Sequence, residues 1–498
     1  MCGRNRFRRL NPRQDLCPGR SPDRGYDQNT ETWLRCVAAR SCRGCAQRPP
    51  RAFSTPRSAR TFPVMQRKLE LDHSPALSAP LRFFVSAPLF AIVAAGLLLW
   101  AGPEAFASRW SPHALAVAHL CALGMLATTM IQIMSVAAGI RIASPVASAT
   151  AIHACLTLGT LLLAAAFACA APALFAPAAF MLGAAFLWFA IACGIGFARH
   201  WRRMPAGAAS VLRTVRLALI ALAATVALGV SLGLALGWRL PFFSIALVDL
   251  HATWGLAGWV GLLTIGISYQ LIPMFQVTEP YPRIVTRWLG PCVFALLGAA
   301  SITAFGFANR IGFAADAVRI ALYAAYAAFA ALTFHLLWTR KRPDADTTTL
   351  FWRTATASVG CGGLLWIANA GIGGRDVAVT TGVLLMMGGA WSAINGMLYK
   401  IIPFLLWHHA QKSSANAIPA MPKVKDMLPD RVARKQFFAH VVALLLLVAA
   451  SVAPGAFARP AAVALGVSAG WLAVNMLGAL RRYVQIRRRS ASVLHLRA

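Results

Sequence analysis

Residues 249–275 read Asp249-Leu-His251-Ala-Thr253-Trp-Gly255-Leu-Ala-Gly258-Trp259-Val-Gly261-Leu-Leu-Thr-Ile-Gly266-Ile-Ser-Tyr269-Gln270-Leu-Ile-Pro273-Met-Phe275. After His251 no charged side chain interrupts the run. As a helix it would rise about 40 Å at ~1.5 Å per residue, more than a hydrocarbon core of about 30 Å requires. The second half has an echo. Gly266-Ile-Ser-Tyr269-Gln270-Leu-Ile-Pro273 matches Gly396-Met-Leu-Tyr399-Lys400-Ile-Ile-Pro403 in register. A weaker copy, Thr128-Thr-Met-Ile131-Gln132-Ile-Met-Ser135, stands at a similar interval earlier in the chain. The stretch therefore predicts a transmembrane helix, and its echoes predict a repeated one.

Working outward, comparable apolar runs lie near 81–100, 114–139, 147–171, 177–198, 215–237, 249–275, 287–308, 314–338, 354–373, 379–407, 437–457 and 460–480. Each repeat motif closes a block of about four runs. The expectation is an all-α polytopic membrane protein, with twelve transmembrane helices arranged as three pseudo-repeats of four. Composition agrees: 58% of the chain is hydrophobic, the mean hydropathy is +0.61, and only 13% is charged, about half the usual share for a soluble domain. The net charge of +33 does not mark a nucleic-acid binder. The cations sit in tails and in loops between apolar runs, as the positive-inside rule places them.

Alternate loops differ sharply. One set carries a single cation each, Arg109, Arg239, Arg310, Arg375 and Arg459, with none between the third and fourth runs. The other carries clusters such as Arg199, Arg202, Arg203 and Arg213, then Arg340, Lys341 and Arg342. The clustered set predicts the cytoplasmic face of a bacterial inner membrane, with both termini on that side. Residues 1–64 hold fourteen Arg, no Lys and five of the eleven Cys, and no run long enough to span. They read as a disordered basic extension, ahead of a transmembrane domain over 65–485 and a basic tail over 486–498. Cys42 and Cys45 with Cys36 make a lone CxxC, a weak zinc signal beside that reading.

Histidine is the chemistry-bearing residue in the apolar runs. His251 and His113 stand at one and the same interval before the close of their motif copies, at Pro273 and Ser135, and Thr381 takes that place before Pro403. The interval is roughly 33 Å of helix, so these positions fall at the outer end. His119 lies deeper than His113, on another face of the helix. Ionisable groups inside a membrane are functional candidates by default; the plainer reading of each is an interfacial anchor or a helix-contact residue. Asp249 either orients the His251 imidazole or is a helix-start carboxylate favoured by the dipole. His153 reads as a helix-contact residue, and His335 and His440 as interfacial. Lys400 reads as a snorkelling side chain, the motif tyrosines as interfacial anchors, and the motif prolines as helix stops.

The stretch from His251 to Pro273 resembles the His-x-His helix of haem-copper oxidase subunit I, most closely the C-type oxidases and nitric oxide reductases. Twelve helices with pseudo-threefold symmetry are also that family's architecture. A looser similarity, in size, topology and outer-side histidines, is to NnrS-type haem- and copper-containing membrane proteins. The resemblance implies that His251 is a haem-iron ligand, with His119 or His113 as the ligand from the second helix. It also shows what is missing. The second histidine of the pair falls on Thr253, the run 287–308 contains no histidine, and the adjacent pair His408-His409 lies at the opposite end of its helix. A binuclear oxygen-reducing centre is therefore not expected, nor is a complete oxidase.

The expected function is haem binding through His251, His119 and His113, with His251 and His119 on the metal and no complete copper centre. It would serve respiratory or nitrosative-stress physiology beside a redox partner protein and the lipid bilayer. The alternative is a small-molecule transporter or permease that shares a repeated bundle; the near absence of acids and bases at mid-depth weakens a proton-coupled carrier. No phosphate-binding loop, metalloprotease helix or soluble catalytic domain is present.

Overall fold

The structure is a computed structural model, and it describes residues 77–137, 145–200, 209–241, 244–305, 312–372, 377–414 and 422–495. The arginine-rich extension, with Cys36, Cys42 and Cys45, lies outside the described residues. The long helices are α1 (Ser78–Ala101), α2 (Pro112–Met134), α3 (Pro145–Ala168), α4 (Phe175–His200), α5 (Ala209–Trp238) and α6 (Ile245–Gln276). They continue as α7 (Arg283–Phe305), α8 (Gly312–Trp338), α9 (Thr347–Ile372), α10 (Ala378–Lys412), α11 (Asp430–Val452) and α12 (Pro454–His495). Among the described residues there are no strands. Eleven of these helices are long and apolar enough to cross a membrane. The chain is thus an all-helical, multi-pass membrane protein. The other long helix, α9, has 26 residues but opens on Thr347-Thr348-Thr349 and carries Arg353.

Local signals account for the helix starts. Pro112 opens α2 at the first turn, where its missing N–H costs nothing. Ser244 caps α6 by accepting from the Leu247 N–H at 3.2 Å. The ends depart from expectation. Pro273 and Pro403 do not stop their helices, which run on to Gln276 and at least to Lys412. Each proline only removes the N–H that would reach the carbonyl four residues back, at Tyr269 and Tyr399. Helix α12 likewise continues to His495, so the basic run Arg487–Arg489 extends a helix where a separate tail was expected.

Three helices contain a wider turn. Residues Leu120–Ala127 of α2, Trp254–Gly261 of α6 and Leu384–Trp391 of α10 are π-helical, eight residues each. Runs this long are rare, and π segments concentrate at functional sites. The fifth residue of each is glycine: Gly124, Gly258 and Gly388. In each case a Cβ there would strike a neighbouring helix, Phe90 of α1, Ala221 of α5 and Ser358 of α9 respectively. Helices α2, α6 and α10 touch one another at the centre of the bundle. Around them α4 packs on α5, α8 on α9, and α12 on both α11 and α1.

Large apolar side chains such as Trp100, Leu187, Ile302 and Val474 stand exposed along the helices. A soluble protein would not tolerate so extensive an apolar exterior; lipid contact explains it. The interior is polar at particular points. Tyr269 and Tyr399 are buried, against the expectation of interfacial anchors. The Tyr399 hydroxyl donates to Gln436 Oε1 (3.1 Å) and accepts from Asn475 Nδ2 (2.9 Å).

Candidate functional site

Two imidazoles meet between α2 and α6. His119 is the last residue before the π segment of α2, and His251 stands shortly before that of α6. Their ring centroids are 6.3 Å apart and their planes differ by 15°. Each ring is oriented by a backbone carbonyl. His119 Nδ1 lies 2.7 Å from the Leu115 oxygen, and His251 Nδ1 lies 3.0 Å from the Thr225 oxygen of α5. With an Nδ1 proton donated in each case, both Nε2 lone pairs are left as acceptors or metal ligands.

The neighbours explain how the pair is placed. The Thr225 carbonyl is reachable because residue 229, one turn along α5, is glycine. A Cβ on Gly229 would sit 2.8 Å from His251 Cε1, so the imidazole occupies the space a side chain would take. Phe167 of α3 lies beside His119 with ring centroids 5.4 Å apart and planes 23° apart. At the same end of the bundle Arg109 donates to Asp249 Oδ1 at 2.7 Å, tying the segment before α2 to the start of α6. Asp249 is therefore an ion-pair partner and does not orient His251.

The remaining histidines lie elsewhere. His113 does not join the pair; its ring packs edge-on against Trp100, and its Nδ1 is 3.8 Å from Glu104 Oε2. His153 bonds Ser86 at 3.2 Å and packs on Phe83, as a helix-contact residue does. His440 is buried, contrary to its interfacial reading, and its Nε2 lies 2.8 Å from Ser392 Oγ. Rings His408 and His409 touch each other far along α10 from its π segment. Thr253 sends its hydroxyl to the Asp249 carbonyl (2.8 Å). Among the described residues, no group of three or more His, Cys, Asp or Glu is arranged to hold a metal ion.

A second polar site was not anticipated. Lys400 pairs with Asp346 Oδ2 at 2.8 Å, where a snorkelling side chain was expected. The Thr349 N–H donates to Asp346 (2.9 Å) and its hydroxyl to Gln276 (2.6 Å), and Arg340 donates to the Thr349 hydroxyl (2.7 Å). Burial alone would raise the Asp346 carboxyl. The Lys400 ammonium and the Thr349 hydrogen bonds outweigh it and hold the group below the usual carboxylate range. The signal in the sequence was a lysine where the other motif copies have glutamine, Gln132 and Gln270.

No protein-family model matches the chain, and no curated protein matches it at a significant level.

Proposed function

We propose that this chain is a twelve-span membrane protein built from three four-helix units, and that His119 and His251 are the axial ligands of a haem. One observation carries the reading: two near-parallel imidazoles from different helices, each tied at Nδ1, with centroids 6.3 Å apart. That spacing is compatible with both Nε2 atoms holding one iron. Twice a bond of about 2.1 Å, plus twice the ~1.1 Å from nitrogen to ring centre, gives about 6.4 Å.

The donor set fits a haem better than a bare ion. Two nitrogens leave a zinc site half-filled, whereas a porphyrin brings four nitrogens and needs only the axial pair. When bound, such a haem supplies one-electron transfer at low-spin iron. The chain's own groups do the positioning. The Leu115 and Thr225 carbonyls fix both tautomers, as the outer partners of metal-bound histidines do. Gly229 makes room, and Phe167 covers one ring.

The three-unit reading is supported by the recurrence of the π segments. Each contains glycine at its fifth place, pressed against the helix that opens its unit: α1, α5 or α9. The unit boundaries α4–α5, α8–α9 and α12–α1 are all packed. In this register α9 is the twelfth span. The π segments begin at Leu120, Trp254 and Leu384. Aligning the three starts shifts the first motif copy by one helical turn from its sequence match, and His119 falls opposite Thr253.

The test is an absorption spectrum of protein purified from cells supplied with haem. A Soret band is expected. His119→Ala and His251→Ala should each abolish or shift it, and His113→Ala and His335→Ala should leave it unchanged. Protein without haem, or with copper in place of iron, would overturn the reading.

A further inference from the structure

A long void lies on the other side of α6 from the histidine pair. It has a volume of about 520 Å³ and is walled by α6 to α10. Neither His119 nor His251 lines it. Along α6 its lining runs from Ala246 to Thr264, a rise of at most about 27 Å at the ~1.5 Å per residue of an α-helix, less through the wider turns of Trp254–Gly261. The void is thus long and narrow, and its polarity changes from end to end. At the Ala246 end stand Arg109, Asp249 and Arg319; at the other are Phe329, Ala330 and Ala393.

The charges at the polar end are unevenly committed. Arg109 and Asp249 hold each other at 2.7 Å. Among the described residues Arg319 is ion-paired only with Asp316, at 3.7 Å, with both side chains mostly exposed. It is the guanidinium with donors to spare for an anion entering the void. From that end inward, the aromatic pair Tyr323 and Trp366 and then a series of alanines offer apolar walls.

We infer that this void binds a single-chain amphiphile, its anionic headgroup at Arg319 and its alkyl chain running inward to Ala330 and Ala393. The dimensions set the chain length. An extended alkyl chain advances about 1.25 Å per carbon, from C–C bonds of about 1.5 Å at tetrahedral angles, so a length of at most about 27 Å holds at most about 20 carbons with the headgroup. The volume is that of an ordinary ligand site, which spans roughly 300 to roughly 1000 Å³. The site is independent of the histidine pair.

The experiment is binding of saturated carboxylates from eight to eighteen carbons to the full chain in a neutral detergent. Affinity should rise with each methylene toward eighteen carbons, at most about fourfold per step at ~0.8 kcal/mol per buried CH₂. Ala330→Phe, which fills the inner end, should weaken the eighteen-carbon acid at least tenfold and leave the ten-carbon acid unchanged. Arg319→Gln should weaken each acid several-fold and leave the matching alcohols unchanged. Because Ala330 is buried, Ala393→Met serves as a milder second block, and both variants are checked for monodisperse elution. Failure to bind any acid, or equal binding of long chains by wild type and both blocked variants, would overturn the inference. A loss from Arg319→Gln as large for alcohols as for acids would also refute the headgroup assignment.

Discussion

Gly229 decides how His251 is held. With the nearest imidazole carbon 2.8 Å from where its Cβ would stand, Gly229→Ala must push the ring off the Thr225 carbonyl or displace α5. Overpacking of this kind costs about 1–3 kcal/mol. The expected outcome is a lower unfolding temperature in detergent and a weakened or shifted Soret band. An unchanged spectrum would argue against His251 as a ligand. Lys400 and Asp346 give a second residue-level expectation. The Asp346 carboxyl is held below its ordinary value of 3.8, so the pair stabilises the fold above that pH. The benefit fades as the pH falls through the lower folded value. Lys400→Met should therefore lower the unfolding temperature at pH 7, and the gap from wild type should narrow below about pH 4. Sequence reading reached His119 and His251 one at a time. The resemblance set His251 beside one of His119 or His113; what the residues left open was which of the two, and how His251 is held, since that depends on a glycine in a third helix and on a carbonyl that no side-chain pattern announces.

At the level of the helix, the π segments are the feature that periodicity conceals. A run such as Leu120–Ala127 is apolar all round, so no phase of hydrophobic residues separates 3.6 from wider turns. What the sequence does carry is the glycine, and its role is steric. A Cβ on Gly124 would stand 2.2 Å from Phe90, on Gly258 2.8 Å from Ala221, and on Gly388 2.5 Å from Ser358. Alanine at each should destabilise the protein, because each added atom also meets a Cβ fixed to the neighbouring backbone: Phe90 Cβ at 2.7 Å, Ala221 Cβ at 2.8 Å and Ser358 Cβ at 2.6 Å. Glycines with open space make the control. Gly298 and Gly470 have nothing within 4 Å of the added atom, so alanine there should be neutral or stabilise by up to about 1 kcal/mol. Thermal unfolding of the five variants separates the groups, and equal effects in both would dismiss a role for the close approach. The motif prolines teach the same lesson from the other side. Pro273 and Pro403 read as stops in isolation, yet central helices packed on all sides continue through them.

For the whole molecule, the apolar runs and loop charges were the most legible layer, since desolvation and membrane thickness act on composition directly. Within the described residues every expected run is part of a long helix, and α12 is extended beyond its run. Orientation follows from the same loops. The end of the bundle at which α2, α6 and α10 begin holds the histidine pair and the Arg109–Asp249 bridge, and its loops carry at most one cation each. At the opposite end stand Arg283, Arg287, Arg340, Lys341, Arg342, Lys412, Lys423 and Lys425. Inserting the bundle upside down would export nearly all of these cations and retain the single arginines. Reporter fusions after residues 205 and 345 are therefore expected on the cytoplasmic side, and fusions near 175 and 310 on the other. With the fusions so placed, His119, His251 and the Arg319 mouth of the long void would face outward, and their partners would have to be extracytoplasmic. Export of both the 205 and 345 fusions would invert the bundle, and the partners of both sites would then have to be cytoplasmic.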